Sequence, residues 1–216
     1  RDAMAKGLSV LEKINKQCLE ENIDADGLAK EIYSSTAENS EEEQLAGMLV
    51  RSLLSAGIDT TVSAIGNLLW CFAENPEQFQ LVKDDKSLVG NAVEESLRLT
   101  SPVKAFCRTS AIDTEVSGVV IEEGTKILCV LGSANTDPEV WENSYKYDVT
   151  RRTIGHLALG VGVHNCVGQT LARAEITALA SSLTGLVKII RPKGIAAWKP
   201  NNAMRSLASL PIILET

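Results

Sequence analysis

Cys166 lies in the run GVGVHNCVGQ, residues 160–169, with glycines on both sides and His164 two positions before it. Thiolate is the nucleophilic and metal-binding form of cysteine. The segment LARAEITALASSLTGL that follows has helical period and predicts a helix from about Val167 to Leu186. Its N-terminus would aim backbone N–H groups and the positive end of its dipole at the sulfur. Gly160, Gly162 and Gly168 would let the backbone pass close to a flat object. One thiolate without a second ligand nearby suits a metal whose other positions are already filled. Haem is such a case, with four porphyrin nitrogens, one axial thiolate and one open face. A His164–Cys166 nucleophile pair is the competing chemistry, although side chains at i and i+2 need not meet. A dinucleotide loop is excluded, because Gly160 and Gly162 give G-x-G but position 165 is Asn.

Two further groups can do chemistry. AGIDTT, residues 56–61, places Gly57, Asp59 and two threonines in an otherwise apolar helical stretch. Glycine costs a helix roughly 1 kcal/mol against alanine, and threonine hydroxyls compete for the backbone bonds of the preceding turn. The segment is either a close crossing point for another helix or a groove in which Asp59 and Thr60 pass protons beside a ligand. In EESLRL, Glu95 and Arg98 stand at i and i+3 on one helical face and can pair. If that helix is buried, its charges must be paired and hydrogen-bonded. Arg151, in YDVTRR, is the candidate third member.

The elements that must position these residues are mostly helical. Apolar residues at Ala3, Leu8, Leu11, Ile14 and Cys18 predict a first helix, and a short one is expected over 26–35. Ser40 with Glu43 is a capping box. It opens a helix expected over about 41–74, about 50 Å long at ~1.5 Å per residue. Its second half is apolar nearly all round and should run through the protein's middle. Asn75-Pro76 stops it and starts another helix. Ser87 is expected to cap a further helix that ends at Ser101-Pro102. VSGVVIEEGTKILCVLG alternates, with turn glycines Gly118 and Gly124, and predicts hairpin strands. A polar meander over about 132–155 precedes the cysteine loop, and strands close the chain. The fold class expected is mainly α with small β sheets (α+β), as a single partial domain over 1–216.

Composition narrows the function. The 216 residues are 44% hydrophobic and 23% charged, with a net charge of −7. Residues 1–50 hold 5 Lys+Arg against 11 Asp+Glu. No basic stripe with interleaved aromatics exists, so nucleic acid is not an expected partner. No uninterrupted stretch of 18 apolar residues occurs, so no membrane span is expected. Five cysteines, no two closer than 22 positions, make neither a disulfide framework nor a CxxC site. They read as reduced thiols of a cytoplasmic protein. Two histidines are too few for a zinc site of the usual type. The chain opens Arg1-Asp2-Ala3, so its true N-terminus is expected to be missing.

The ordered set resembles the cytochrome P-450 haem-thiolate monooxygenases: AGIDTT in a helix, then E-x-x-R, then L-G-x-G-x-H-x-C-x-G at 159–168. The resemblance covers the whole chain but only the C-terminal, haem-binding half of that fold. It implies haem b, O2 and electrons from NAD(P)H through external redox proteins, usually a ferredoxin-type iron–sulfur protein and its reductase. It implies Cys166 as the axial iron ligand and Asp59 and Thr60 in oxygen activation and proton delivery. It implies Glu95, Arg98 and Arg151 as a structural triad, and Arg108 and His164 on the haem propionates. The family usually carries Phe seven residues before the cysteine; here it is Leu159, a departure that bears on the tuning of the iron more than on its ligation.

Several stretches are similar to bacterial members that oxidise small aromatic acids. Ser52, Ala56 and Thr60 share one helical face, with Ser55 beside it and Arg51 one turn earlier. Hydroxyls and an arginine at one end of an apolar pocket can hold a carboxylate; alternatively Arg51 reaches solvent and the serines bond back to the helix. Val103, Ala105 and Phe106 are expected pocket walls. The expected reaction is hydroxylation or O-dealkylation of a small organic substrate. Lys146, Arg151, Arg152 and Arg173 flank the loop as candidates for a patch that docks an acidic electron donor. The rival reading is a truncated, non-catalytic haem-binding or interaction remnant, whose exposed apolar helix would promote self-association.

Overall fold

The computed structural model describes residues 2–24, 26–36 and 41–216. The capping box expected at Ser40 and Glu43 lies outside the described residues and side chains. Contacts divide the chain into two compact units, Arg1–Asp59 and Thr60–Thr216.

The first unit holds α1 (Asp2–Gln17), α2 (Leu28–Ser34) and the opening half of α3 (Glu41–Glu74). Its buried centre is small: Cys18, Ala46 and Val50. The Tyr33 hydroxyl donates to the Cys18 carbonyl at 2.7 Å, and a Cβ on Gly47 would stand 2.9 Å from that hydroxyl. Glycine at 47 therefore lets α3 pass close to Tyr33. The apolar stripe of α1 has helical period, as expected, yet Leu8, Leu11 and Ile14 are exposed.

Residues 60–74 of α3 belong to the second unit and enter its core, where Leu68, Cys71 and Phe72 are fully buried. Leu45–Glu74 is long and apolar enough to cross a membrane by length and composition, contrary to the reading from uninterrupted apolar runs. Only 17% of its most apolar window is buried, whereas its second half packs on protein. Pro76 opens α4 (Pro76–Asp84) at a position where its missing N–H costs nothing. Ser87 is not a helix cap: it lies inside a 3-10 turn over Lys86–Leu88, which Asp85 caps by accepting the Ser87 N–H at 2.9 Å. Then α5 (Val89–Thr100) ends on Ser101, whose φ of 43° breaks the helix before Pro102.

Four two-stranded antiparallel sheets follow from the remaining strands. β1 (Phe106–Thr109) pairs with β4 (Lys126–Cys129). β2 (Thr114–Val116) and β3 (Val119–Ile121) form a hairpin. Ser117 and Gly118, at φ 51° and 80°, make its two-residue turn, as paired left-handed residues do in tight hairpins. A short α6 (Leu131–Ala134) leads into the irregular meander, which ends at the cysteine loop. α7 (Gln169–Leu186) starts two residues later than the apolar period suggests. β5 (Ile189–Pro192) pairs with β8 (Ile212–Glu215), and β6 (Ala197–Trp198) with β7 (Leu207–Ser209). Phe72, Phe79, Val93, Tyr147, Ile176 and Ile190 join α3, α4, α5, α7, the meander and β5 in one core.

Candidate functional site

α5 carries the ion pair expected of it. Arg98 Nε and Nη2 donate to the two Glu95 carboxylate oxygens at 2.7 and 2.9 Å, and both side chains are fully buried. Arg151 completes the triad at 3.0 Å from Glu95 Oε1. The triad's other bonds go to backbone. Arg98 Nη1 donates to the carbonyls of Asn135 and Ser144 at 2.6 and 2.8 Å. Arg151 donates to the carbonyls of Glu142 and Asn143, and Glu95 accepts the Asp148 N–H. These charges thus do the hydrogen bonding that a strand ladder would do elsewhere. The meander has no regular element of its own between Thr136 and Gly160.

Residue patterns missed the neutral amides that finish this network. Asn135 accepts the Leu157 N–H at 2.6 Å and donates to Ser101 Oγ at 2.9 Å. Asn91 donates to the Val149 and Arg151 carbonyls, and Gln78 accepts the Val149 N–H. The one signal for Asn91 and Gln78 is a polar residue on the buried side of an amphipathic helix.

The Cys166 loop is short and depends on glycine in one place. The Cys166 N–H donates to the Leu159 carbonyl at 2.8 Å, closing the loop over a 3-10 turn at Gly162–His164. Gly160 and Gly162 have φ of 75° and 67°. A Cβ on Gly160 would lie 2.8 Å from the His164 carbonyl oxygen, a backbone atom that cannot step aside. We therefore expect Gly160→Ala to cost about 1–2 kcal/mol in backbone conformation alone, with the clash added. Gly168→Ala, where a Cβ meets nothing within 4 Å, is the matched control. Thermal unfolding checks this: equal melting temperatures for the two variants would remove the steric argument.

The loop's side chains face outward. Cys166, His164, Val161, Val163 and Val167 are all exposed, Val163 at 97%. Leu159 is half-buried against the core. His164 makes no side-chain hydrogen bond among the described residues. Arg108 is exposed on β1; its side chain donates to the neighbouring Cys107 carbonyl and stands 5.5 Å from the Phe106 ring.

The remaining candidates separate by unit. In the first, Ser52 and Ser55 donate back to the Met48 and Ser52 carbonyls, and Arg51 Nη1 donates to the Asn15 amide oxygen at 2.8 Å. Ala56 and Asp59 are exposed on the same helix. A Cβ on Gly57 would meet nothing within 4 Å, so no element crosses closely there among the described residues. In the second unit, Thr60 is half-buried, Val103 bridges to Met204, and Phe106 is exposed opposite Cys129. Of the basic residues flanking the loop, Lys146 and Arg152 are exposed, whereas Arg151 and Arg173 are committed to Glu95 and Glu94.

Residues 8–184 match the family model for cytochrome P450. The chain belongs to the cytochrome P450 family. It is 44% identical over 203 residues to cytochrome P450 CYP199A2 of Rhodopseudomonas palustris, covering 93% of this chain and 49% of that protein. It is 34% identical over 175 residues to the biotin biosynthesis cytochrome P450 of Bacillus subtilis, covering 81% of this chain and 44% of that protein. Its fold matches the crystal structure of P450BioI in complex with an acyl carrier protein bearing hexadec-9Z-enoic acid. That match has a TM-score of 0.83 and 30% identity, over 94% of this chain and 52% of that one. This P450 chain spans about half the length of the curated relatives it matches.

Proposed function

We propose that this P450 chain carries the haem-binding and oxygen-activating part of a haem-thiolate monooxygenase, in which Cys166 would hold the iron. The observation that carries the reading is an exposed thiol on a loop clamped by its own backbone and ringed by exposed valines. An apolar loop left in water is a surface that a flat apolar group would cover. Two cationic or polar side chains without a carboxylate partner among the described residues, Arg108 and His164, suit the propionates. The residues present therefore fit haem b. When bound, its iron supplies the chemistry that inserts one oxygen atom of O2 into a C–H bond, with two electrons from outside.

The chain's own residues have the following roles. The Leu159 carbonyl fixes the Cys166 backbone, and Gly160 and Gly162 allow the loop its path. The Glu95–Arg98–Arg151 triad holds the meander that leads into it. Asp59 and Thr60, adjacent on α3, hold and pass the protons that oxygen reduction consumes. Electrons come from NAD(P)H through a ferredoxin-type protein and its reductase, and exposed Lys146 and Arg152 are available to an acidic donor. All five cysteines are free, which suits a reducing, cytoplasmic setting. The test is the reduced, haem-loaded protein under carbon monoxide. We expect the red-shifted Soret band of thiolate ligation, and its absence overturns the reading.

The substrate we propose is a small aromatic carboxylate, hydroxylated or O-dealkylated. Arg51 supports it: its hydrogen-bond partner, Asn15, is neutral, and no carboxylate pairs with it among the described residues. The Ser52 and Ser55 hydroxyls would need to turn from their helix to help. Arg51→Leu is expected to weaken binding of a benzoate-type acid by at least about tenfold, the scale of one charge-assisted hydrogen bond, and to leave its methyl ester unaffected. Equal losses for acid and ester in a substrate-binding titration would sink the assignment.

A further inference from the structure

The Glu94 carboxylate ties together the two sides of the Cys166 loop. Successive helical residues point about 100° apart, so Glu95 turns toward the meander while Glu94 turns toward α7, against which α5 packs. Arg173, on α7, donates from Nε to Glu94 Oε1 at 2.6 Å and from Nη2 to Oε2 at 3.1 Å. His156 Nε2 lies 2.8 Å from Oε2. The other ring nitrogen, Nδ1, accepts the Ala158 N–H at 3.2 Å. An accepting Nδ1 leaves the ring proton on Nε2, which therefore donates to the carboxylate. Burial works to raise the Glu94 pKa, but hydrogen bonds from His156 and Arg173, with the charge of Arg173, outweigh it and hold the carboxyl at about 2.

Both arms lead to Cys166. Ala158 precedes Leu159, whose carbonyl accepts the Cys166 N–H. Arg173 Nη1 donates to the Gln169 side-chain oxygen at 2.6 Å, and the Gln169 N–H donates to the Cys166 carbonyl at 3.2 Å. Each backbone group of Cys166 is thus bonded to a residue at, or next to, one that the clasp holds. The His156 side chain is 6% exposed, so this arm is not a solvated surface contact. An ion pair serving only to join α5 and α7 would need Arg173 and not His156.

We propose that Glu94 is a positioning residue for the Cys166 sulfur, fixing the chain that enters the loop through His156 and the chain that leaves it through Arg173. The inference rests on Cys166 being the haem ligand. In the haem-loaded protein, Glu94→Gln is expected to speed amide hydrogen exchange at Cys166 and Gln169 on the order of tenfold, with Ile190 in β5 unchanged. Part of the carbon-monoxide complex should also move from the thiolate band to that of thiol-ligated haem. His156→Phe removes the entry arm alone; it should speed exchange at Cys166 and leave Ile190 unchanged. Glu94→Asp should restore part of the protection. Unchanged exchange at Cys166 in both variants, or equal acceleration at Ile190, overturns the proposal. The two readings fail separately: a missing thiolate band in the unsubstituted protein removes haem ligation, while the exchange comparison can still be made on the haem-free chain.

Discussion

Cys166→Ser will abolish the red-shifted Soret band of the reduced carbon-monoxide complex, and Cys129→Ser will leave it intact. The structure explains why one thiol of five is singled out. Cys18 and Cys71 are buried. Burial, and then the charge of Glu95, push the Cys71 thiol well above its ordinary range, so it stays protonated. Cys107 and Cys129 lie on the paired strands β1 and β4, in register with Leu128 and Phe106. Only Cys166 combines exposure with a glycine-shaped loop that ties its N–H to Leu159. Serine keeps the size and the backbone of that loop but offers no thiolate. The band's loss would therefore report the ligand and not a collapsed fold, which unchanged far-ultraviolet circular dichroism would verify. A red-shifted band that survives in Cys166→Ser would move the ligand elsewhere.

Much of this was legible in residue types, because the informative patterns are local. The helix ends at Asn75-Pro76 and Ser101-Pro102, the Ser117-Gly118 turn and the Glu95–Arg98 spacing are each decided within a few residues. The buried half of α3 was legible too, since its apolar residues leave no polar face. Contacts across long sequence separation were not. Glu94 reads as an exposed acid beside Glu95 until α7 and the loop are placed against α5. Arg173 reads as a free surface charge for the same reason, and the structure commits it to Glu94 instead. Asn135 has no helical period to mark it, yet it links Arg98, Ser101 and Leu157. The apolar stripe of α1 shows the converse failure. Its period is correct, but Leu8, Leu11 and Ile14 meet no core within Arg1–Asp59.

The exposed apolar side chains and the buried charges together set the size of the last effect. Hydrophobic burial gives the second unit one core under α3, α5 and α7, but the meander contributes little to it beyond Tyr147, Val149 and Ala158. Its placement depends on charge. Arg98→Met keeps the length and much of the volume of the side chain while removing the guanidinium. It leaves Glu95 fully buried with only Arg151 and the Asp148 N–H as partners, and strips donors from the Asn135 and Ser144 carbonyls. Removing one partner of a buried ion pair typically costs about 3–5 kcal/mol, against a total stability of roughly 5–15 kcal/mol for a domain. We expect Arg98→Met to unfold at much lower denaturant and to lose haem. The double variant Arg98→Met/Glu95→Leu separates the two contributions: with no stranded charge it should recover part of the stability. The backbone carbonyls of the meander would still lack donors, so haem retention should not recover with it. Full recovery of both in the double variant would show that the triad's charge-to-backbone bonds do not hold the meander.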